Sequence, residues 1–179
     1  MRQLLQILVL TVLAHMGVAH AQAKKYPDKP VTLVIPFAVG GPTDVVARMI
    51  SIPMGKSLGQ SVVVENVIGA GGTIGANKVA KAPPNGYTIL LHHMGMSTAP
   101  SLYNKLNFDP LTDFEYIGQV LDVPMTLLAR KDIPANNLQE LIAYIKANEQ
   151  KVSLADAGLG AVSNLCGLMF KSAIGVNIN

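Results

Sequence analysis

Two kinds of hydrophobic pattern alternate along this chain. Short β-branched apolar runs, typical of buried strands, are followed by longer stretches in which apolar residues recur every three or four positions, as in helices. This alternation predicts an α/β fold with a mainly parallel sheet. The predicted strands are residues 31–37, 62–67, 87–94, 114–122, 125–130 and 152–155, and the predicted helices are residues 43–58, 74–81, 138–148 and 162–174.

Glycine-rich loops follow three of the predicted strands and precede three of the predicted helices. They contain Gly40 and Gly41, the run 69–72, and Gly158 with Gly160. The first N–H groups of a helix have no intrahelical partner, and the helix dipole favours negative charge there. Because loops at the carboxyl ends of parallel strands gather at one edge, we expect these three to converge. The pattern predicts a site that binds a carboxylate or phosphate through backbone N–H groups.

Thr43 and Asp44 open the first predicted helix and allow two interpretations. Thr43 is a candidate N-cap, and the dipole favours an acidic residue such as Asp44 in the first turn. Both residues could simply start the helix, or they could contact the ligand. Arg48 lies four residues after Asp44, where an ion pair would reduce repulsion of an acidic ligand.

Other motifs give little support for catalysis or for a cofactor. The run 69–75 resembles a dinucleotide fingerprint but has Ile74 where the third glycine belongs. His92 and His93 are adjacent in a predicted strand, so their side chains should point to opposite faces. Cys166 lies in an apolar run and is predicted to be a small buried hydrophobe. We expect no catalytic residue, no metal and no cofactor.

The N-terminus indicates export. A short n-region with Arg2 precedes an apolar stretch to about Val18, and small-x-small sequences end at Ala21 and Ala23. Residues 1–23 are therefore predicted to be a signal peptide cleaved near Ala21 or Ala23, with delivery to a periplasm. The formal net charge of +3 is small and its basic residues are scattered, which argues against a nucleic-acid partner.

Several motifs together resemble a known family. They occur in the order Tyr26-Pro-Asp-Lys-Pro30, Pro36-Phe-Ala-Val-Gly-Gly-Pro-Thr-Asp44 with Arg48, Val64-Glu-Asn66 with Gly69-Ala-Gly-Gly72, Pro84-Asn-Gly-Tyr-Thr88, Leu102-Tyr103 and Phe108-Asp-Pro-Leu-Thr-Asp-Phe114. This set closely resembles the Bug family, the TctC-like periplasmic receptors of tripartite tricarboxylate transporters. The resemblance covers essentially all of the chain after the signal peptide.

The resemblance implies a fold and a function. Family members have a periplasmic-binding-protein-like (type II) fold, in which two α/β lobes close on a small carboxylate. They pass this ligand to membrane permease subunits and are not enzymes. The chain resembles the N-terminal portion of the family. Residues 24–123 are expected to form lobe 1 without its returning C-terminal segment, and residues 124–179 the start of a truncated lobe 2.

The candidate ligand-binding residues lie in the loops after predicted strands. In the third loop the family commonly reads Gly-x-Gly-Ser/Thr-x-x-His, whereas Ala161 and Asn164 stand at the last two defined positions here, and Ser163 is expected to supply a donor instead. The full set is Phe37, Ala38, Gly40, Gly41, Pro42, Thr43, Asp44, Gly71, Thr73, Gly95, Ser97, Gly158, Gly160, Ala161, Ser163 and Asn164.

Two alternatives to a transport receptor remain at this stage. One is an exported α/β hydrolase that uses Ser97 or Ser163, although the sequence shows no G-x-S-x-G motif and identifies no local base for either serine. The other is a ligand-binding partner of a membrane sensor.

Overall fold

Three short parallel strands form the centre of the fold in the computed structural model, which describes residues 25–179. They are β1 (Val31–Ile35), β2 (Val62–Asn66) and β3 (Thr88–Leu90). β1 lies in the middle and pairs in parallel with β2 on one side and β3 on the other. The predicted α/β class with a parallel sheet is confirmed.

Five α-helices accompany the sheet in the described part of the chain. They are α1 (Pro42–Leu58), α2 (Thr73–Ala80), α3 (Gly95–Leu102), α4 (Leu138–Ala147) and α5 (Val162–Ile174), and short 3₁₀ turns occupy Ala70–Gly72 and Glu149–Lys151. The four predicted helices agree with α1, α2, α4 and α5 to within one residue at each end.

The central strand is buried because helices cover both of its faces. On one face, Leu33 and Ile35 pack with Ala47 of α1. On the other face, Leu90 of β3 packs against a cluster around Ala76 of α2. Since side chains alternate along a strand, α1 and α2 must lie on opposite faces of the sheet. The sheet therefore has the layered α/β arrangement, with its connecting loops at the strand ends.

The region after β3 differs from the prediction. The strand predicted for residues 87–94 ends at Leu90, and α3, which was not predicted, begins at Gly95. This helix contains Pro100 and several small or hydroxyl residues, which are poor helix formers. Its start is stabilised locally, because the Gly95 N–H donates to Nδ1 of His93 over 3.0 Å.

The strands predicted at residues 114–122, 125–130 and 152–155 are wrong. No strand is assigned there, and most apolar side chains of the first two segments are exposed. An alternating pattern becomes a strand only when another strand pairs with it, and among residues 25–179 none does. The Leu154 N–H donates to the backbone oxygen of Asn179 over 2.6 Å, but this single bond does not make a strand pair.

Two further expectations concern residues outside the sheet. Cys166 is exposed, not buried as predicted. The buried face of α5 passes through Gly167, against Leu154, and the preceding residue points about 100° away from it. The predicted signal peptide lies outside the described residues. In residues 25–179 no helix has the length and apolar character needed to cross a bilayer.

Candidate ligand-binding site

The three glycine loops meet at the carboxyl edge of the sheet. A β-carbon on Gly72 would lie 3.1 Å from the ring of Phe37, so the loop after β2 contacts the loop after β1. A β-carbon on Gly71 would collide with the carbonyl oxygen of Leu159, which places the third loop directly against the second. Only glycine permits this approach, because there is no room for a β-carbon. The φ of Gly71 is also +60°, which favours glycine. The expected convergence of the loops is present in the structure.

A concave region of about 1870 Å³ opens where the loops meet, and it continues along β3 and residues 112–125. The lining contains ten of the sixteen candidate residues: Phe37, Ala38, Gly41, Pro42, Thr43, Gly71, Ser97, Gly158, Ala161 and Ser163. The other six do not line it: Gly40, Asp44, Thr73, Gly95, Gly160 and Asn164.

The first turn of α1 presents backbone donors to this cavity. Its N-cap is Gly41, and Pro42 occupies the first helical position, where a fixed φ and a missing N–H suit the helix. The prediction of Thr43 as N-cap is therefore wrong by two residues. No side chain caps this helix. Because Val45 is the first residue to bond back to Gly41, the N–H groups of Thr43 and Asp44 lack a partner within residues 25–179.

The first turn of α5 has the same character. Ala161 is the N-cap and no side chain closes the helix start. Leu165 is the first residue that bonds back, to the Ala161 carbonyl. The N–H groups of Val162, Ser163 and Asn164 are consequently unpaired within the described chain. Ser163 Oγ accepts the N–H of Ala157 over 3.0 Å, which leaves its own O–H free to donate into the cavity it lines.

Asn164 holds the third loop together. Its Oδ1 accepts the Gly160 N–H over 3.2 Å, and its Nδ2 donates to Asp156 Oδ2 over 2.8 Å. Asp156 in turn accepts the N–H of Gly158 over 2.7 Å. Both ends of the amide are occupied by the loop itself, so Asn164 shapes the loop without lining the cavity.

Asp44 is the centre of a buried polar network. It is 1% exposed, and its carboxylate accepts from Arg48 Nε over 2.9 Å, from the Gly40 N–H over 2.9 Å and from Asn66 Nδ2 over 2.9 Å. The hydrogen bonds from Arg48, Gly40 and Asn66 hold the pKa of Asp44 far below its usual range. The predicted i,i+4 pair of Asp44 with Arg48 is present. Asn66 was not predicted for the site; its position as the last residue of β2, before a glycine loop, was the available signal.

Phe37, His92 and His93 form an aromatic cluster on the cavity wall. Phe37 stacks on His93 with ring centroids 4.2 Å apart and meets the edge of His92 at 5.2 Å. The expectation that the two imidazoles face opposite sides of a strand is wrong, because both follow the end of β3 and their rings are 5.0 Å apart. Burial lowers the pKa of His93 to about 4 and also lowers that of His92, so both rings are neutral at neutral pH.

Two residues of the α3 region hold the third loop and were not predicted for the site. The hydroxyl of Tyr103 donates to the Leu159 carbonyl over 2.8 Å, and Thr98 Oγ1 donates to the Gly160 carbonyl over 3.2 Å. Neither pair could be predicted from the sequence, because each joins residues about sixty positions apart. Within residues 25–179 no three His, Cys, Asp or Glu side chains lie close enough together to bind a metal ion.

Comparison with known proteins identifies relatives of this arrangement. The sequence profile of the family described as "Tripartite tricarboxylate transporter family receptor" matches residues 46–179. A protein of Agrobacterium vitis, from the TAR-I ttuE-ttuC' intergenic region, is 47% identical over 90% of the chain and 46% of its own length. The chain thus spans about half the length of the relatives it matches.

Solved structures agree. The structure of the periplasmic binding protein BugD is similar, with a TM-score of 0.83 and 58% identity, covering 86% of this chain and 51% of that one. MatC from Rhodopseudomonas palustris with bound malate has a TM-score of 0.72 and 38% identity, with 86% and 53% covered. An R. palustris protein with adipate has a TM-score of 0.73 and 33% identity, with 86% and 52% covered.

Proposed function

Because this chain belongs to the tripartite tricarboxylate transporter receptor family, we propose that it is a solute-binding receptor that captures a small carboxylate at the three glycine loops. The backbone N–H groups of the α1 and α5 first turns are the proposed donors. The chain covers about half of its relatives' length, so the activity of a whole protein is part of this proposal.

The observation that carries the proposal is a pair of open helix starts at one cavity. Thr43 of α1, with Val162 and Ser163 of α5, lines the cavity, and the N–H groups of these three residues are unpaired within the described chain. None of the described residues that line the cavity is Lys or Arg. A carboxylate would therefore be bound by backbone dipoles. Hydrogen bonds to charged groups contribute about 1.5–3 kcal/mol each. Several of them can reach micromolar affinity after the losses on association.

The ligand class follows from the similar structures. Malate and adipate, which two of them contain, are both dicarboxylates. In this chain the two open helix starts supply two sets of donors, and the neutral aromatic cluster in the cavity lining offers an apolar wall. We therefore favour a four- to six-carbon dicarboxylate with one carboxylate at α1 and the other at α5.

The compartment and the partner complete the proposal. After loss of residues 1–23 the receptor would work in a periplasm and deliver its ligand to the permease subunits of a tripartite tricarboxylate transporter. Residues 24–123 would belong to its first lobe and residues 124–179 to the start of its second. A similar solved structure is that of a periplasmic binding protein, which supports the proposed compartment.

A hydrolase is less well supported by the geometry. Ser97 and Ser163 both line the cavity, but neither hydroxyl is hydrogen-bonded to a histidine or carboxylate in the described chain. Nδ1 of His93 is occupied by the Gly95 N–H. Activation of a serine needs a base within hydrogen-bond reach, so reversible binding is the better reading of the site.

Calorimetric titration of the full chain with malate, adipate and the neutral diamide of malate tests this function. We expect micromolar binding of a dicarboxylate, no binding of the diamide, and recovery of the ligand unchanged by mass spectrometry. Equal binding of malate and its diamide would contradict recognition by helix N-termini. Conversion of the ligand would contradict a receptor.

A further inference from the structure

We propose that the side chains of Asp44 and Asn66 position the cleft: together they fasten the loop of residues 37–41 near both of its ends, and neither side chain touches the ligand. This inference rests on the proposed function, because the loop matters only if it binds. It also revises the sequence-based view of Asp44 as a candidate ligand contact.

The loop is tied at two points that are three residues apart. At its start, Asn66 Nδ2 donates to the Phe37 carbonyl over 3.0 Å. At its glycine turn, the Gly40 N–H donates to Asp44 Oδ2 over 2.9 Å. The two ties are joined to each other, because the same Asn66 Nδ2 also donates to Asp44 Oδ1 over 2.9 Å. A closed ring of hydrogen bonds therefore runs from the end of β1, through β2, to the first turn of α1.

Asp44 has no remaining capacity for a ligand. Arg48 Nε and Nη2 donate to its two oxygens over 2.9 and 3.0 Å, in addition to the bonds from Gly40 and Asn66. A carboxylate offers about four acceptor sites, and all are filled. The side chain is buried and does not line the cavity. The guanidinium of Arg48 compensates its charge, so an anionic ligand at the open end of α1 faces no unpaired carboxylate.

The ring of hydrogen bonds holds in place the loop residues that the ligand would contact. The one other hydrogen bond within the loop is from the Gly41 N–H to the Ala38 carbonyl over 3.1 Å. Gly40 has φ +79°, which is one of many conformations open to a glycine, so bonds from outside the loop are needed to select it. If the ring opens, the Phe37 ring and the N-cap residue Gly41 lose their fixed positions. A buried carboxylate without its full set of donors is unfavourable, which makes the ring all-or-none.

The test uses the full chain with Asp44→Asn, which keeps the size of the side chain but places an NH₂ where donors now converge. Amide hydrogen exchange is measured by NMR without any ligand, together with calorimetric titration with malate and with adipate. Asp132→Asn is the matched control, because Asp132 also pairs with an arginine, Arg130, but on the surface.

We expect the Gly40 amide to exchange about tenfold faster and its proton to shift upfield, because it loses a charge-assisted bond. Exchange of the β1 amides should stay at the parent level. Binding of malate and adipate should weaken by the same factor, about tenfold, since the loop serves any ligand. Asn66→Ala should reproduce both effects, and Asp132→Asn should produce neither.

Three results would overturn the inference. Gly40 exchange at the parent rate would show that Asp44 does not hold the loop. Equally faster exchange in β1 would make Asp44 a general stabiliser of the fold. Weaker binding of one dicarboxylate alone would make it a direct contact. If the parent chain binds neither probe, the proposed function fails, while exchange in the ligand-free chain still decides whether the network holds the loop.

Discussion

Helix α4 and the two helices at the cleft begin in opposite ways. At α4, Asn137 is the N-cap, its side chain accepts the Glu140 N–H over 2.9 Å, and Glu140 Oε2 accepts the Asn136 N–H over 2.8 Å. This resembles a capping box, except that the Glu140 side chain accepts the N–H of the residue before the N-cap and not that of the N-cap itself. At α1 and α5 the same position holds Gly41 and Ala161, and no side chain closes the helix start.

The difference shows which helices of this chain lack the stability that a side-chain cap provides. A side-chain cap stabilises a helix by about 1 kcal/mol relative to alanine and by a few tenths of that relative to glycine, so the loss is larger at Ala161 than at Gly41. Both of these uncapped starts lie beside the same cavity, whereas the capped helix α4 lies elsewhere; α2 and α3 also lack a side-chain cap. Open N–H groups at the cleft are what a bound carboxylate would need, so these two helices have the starts expected of a binding site.

The largest expected effect comes from a substitution that forces the second and third glycine loops apart. In Gly71→Ala the new methyl group collides with the Leu159 carbonyl and lies 2.6 Å from the Tyr103 hydroxyl. The third loop, which leads into α5, must move away from the second loop, and we expect dicarboxylate binding to weaken about a hundredfold by calorimetry. Gly175→Ala is the matched control. Gly175 has a similar φ of +69° with no atom in the way, so binding should be unchanged.

Gly41→Val should weaken binding somewhat less, by about thirtyfold. Its β-carbon would lie 3.1 Å from the Ala38 carbonyl, and its branches would crowd the N–H groups of the α1 start. The backbone at Gly41, with φ −73° and ψ 168°, suits any residue, so the fold should survive. Calorimetry measures the binding, and circular dichroism checks the fold. Parent-like affinity would mean that the loop after β1 does not bind the ligand.

Capping α5 should convert an open start into a closed one. In Ala161→Asp the new carboxylate can accept N–H groups of the first turn and repels an anion, so we expect binding to weaken about tenfold. Ala161→Asn places a neutral cap of the same shape there and should have a smaller effect. Titration with malate at two salt concentrations separates the two causes, because only the charge effect is screened. Equal affinities for both variants and the parent would show that α5 donates nothing.

Uncapping α4 should have the smallest effect and should leave binding untouched. Asn137→Ala removes the acceptor of the Glu140 N–H, and we expect the chain to lose about 1 kcal/mol of stability, measured by urea denaturation. Malate affinity should stay at the parent value, because α4 takes no part in the cleft. A loss of malate affinity would contradict the view that only the uncapped helix starts at the cleft serve binding.

Much of the local structure could be predicted from sequence, because it depends on neighbours in the chain. The α5 boundaries follow from apolar periodicity and Gly175, and the α1 start follows from a glycine pair and a proline. Strand prediction failed for segments that need a neighbouring strand to pair with. The apolar residues near Ile117 and Leu128 alternate as in a strand, yet both side chains are exposed with no partner strand in the described chain.

The loops of the site could be predicted from the sequence, but the hydrogen bonds that hold these loops in place could not. Glycine runs after strands located the three loops, and ten of the sixteen candidate residues line the cavity. The bonds that hold the loops join distant positions, such as Tyr103 with Leu159 or Asn66 with Phe37. Such pairs depend on tertiary folding, so they cannot be predicted from the spacing of residues in the sequence. For the same reason Asp44 and Asn164 were assigned to the cavity surface, although neither residue lines it.

The central claim is that open helix starts at the glycine loops bind a carboxylate, and NMR titration of the ¹⁵N-labelled full chain with malate tests it most directly. We predict that the amides of Thr43, Asp44, Val162 and Ser163 shift together and saturate with one Kd. The capped amide of Glu140 should stay in place. Saturable shifts confined to other residues, or no shift at all at millimolar malate, would contradict the account.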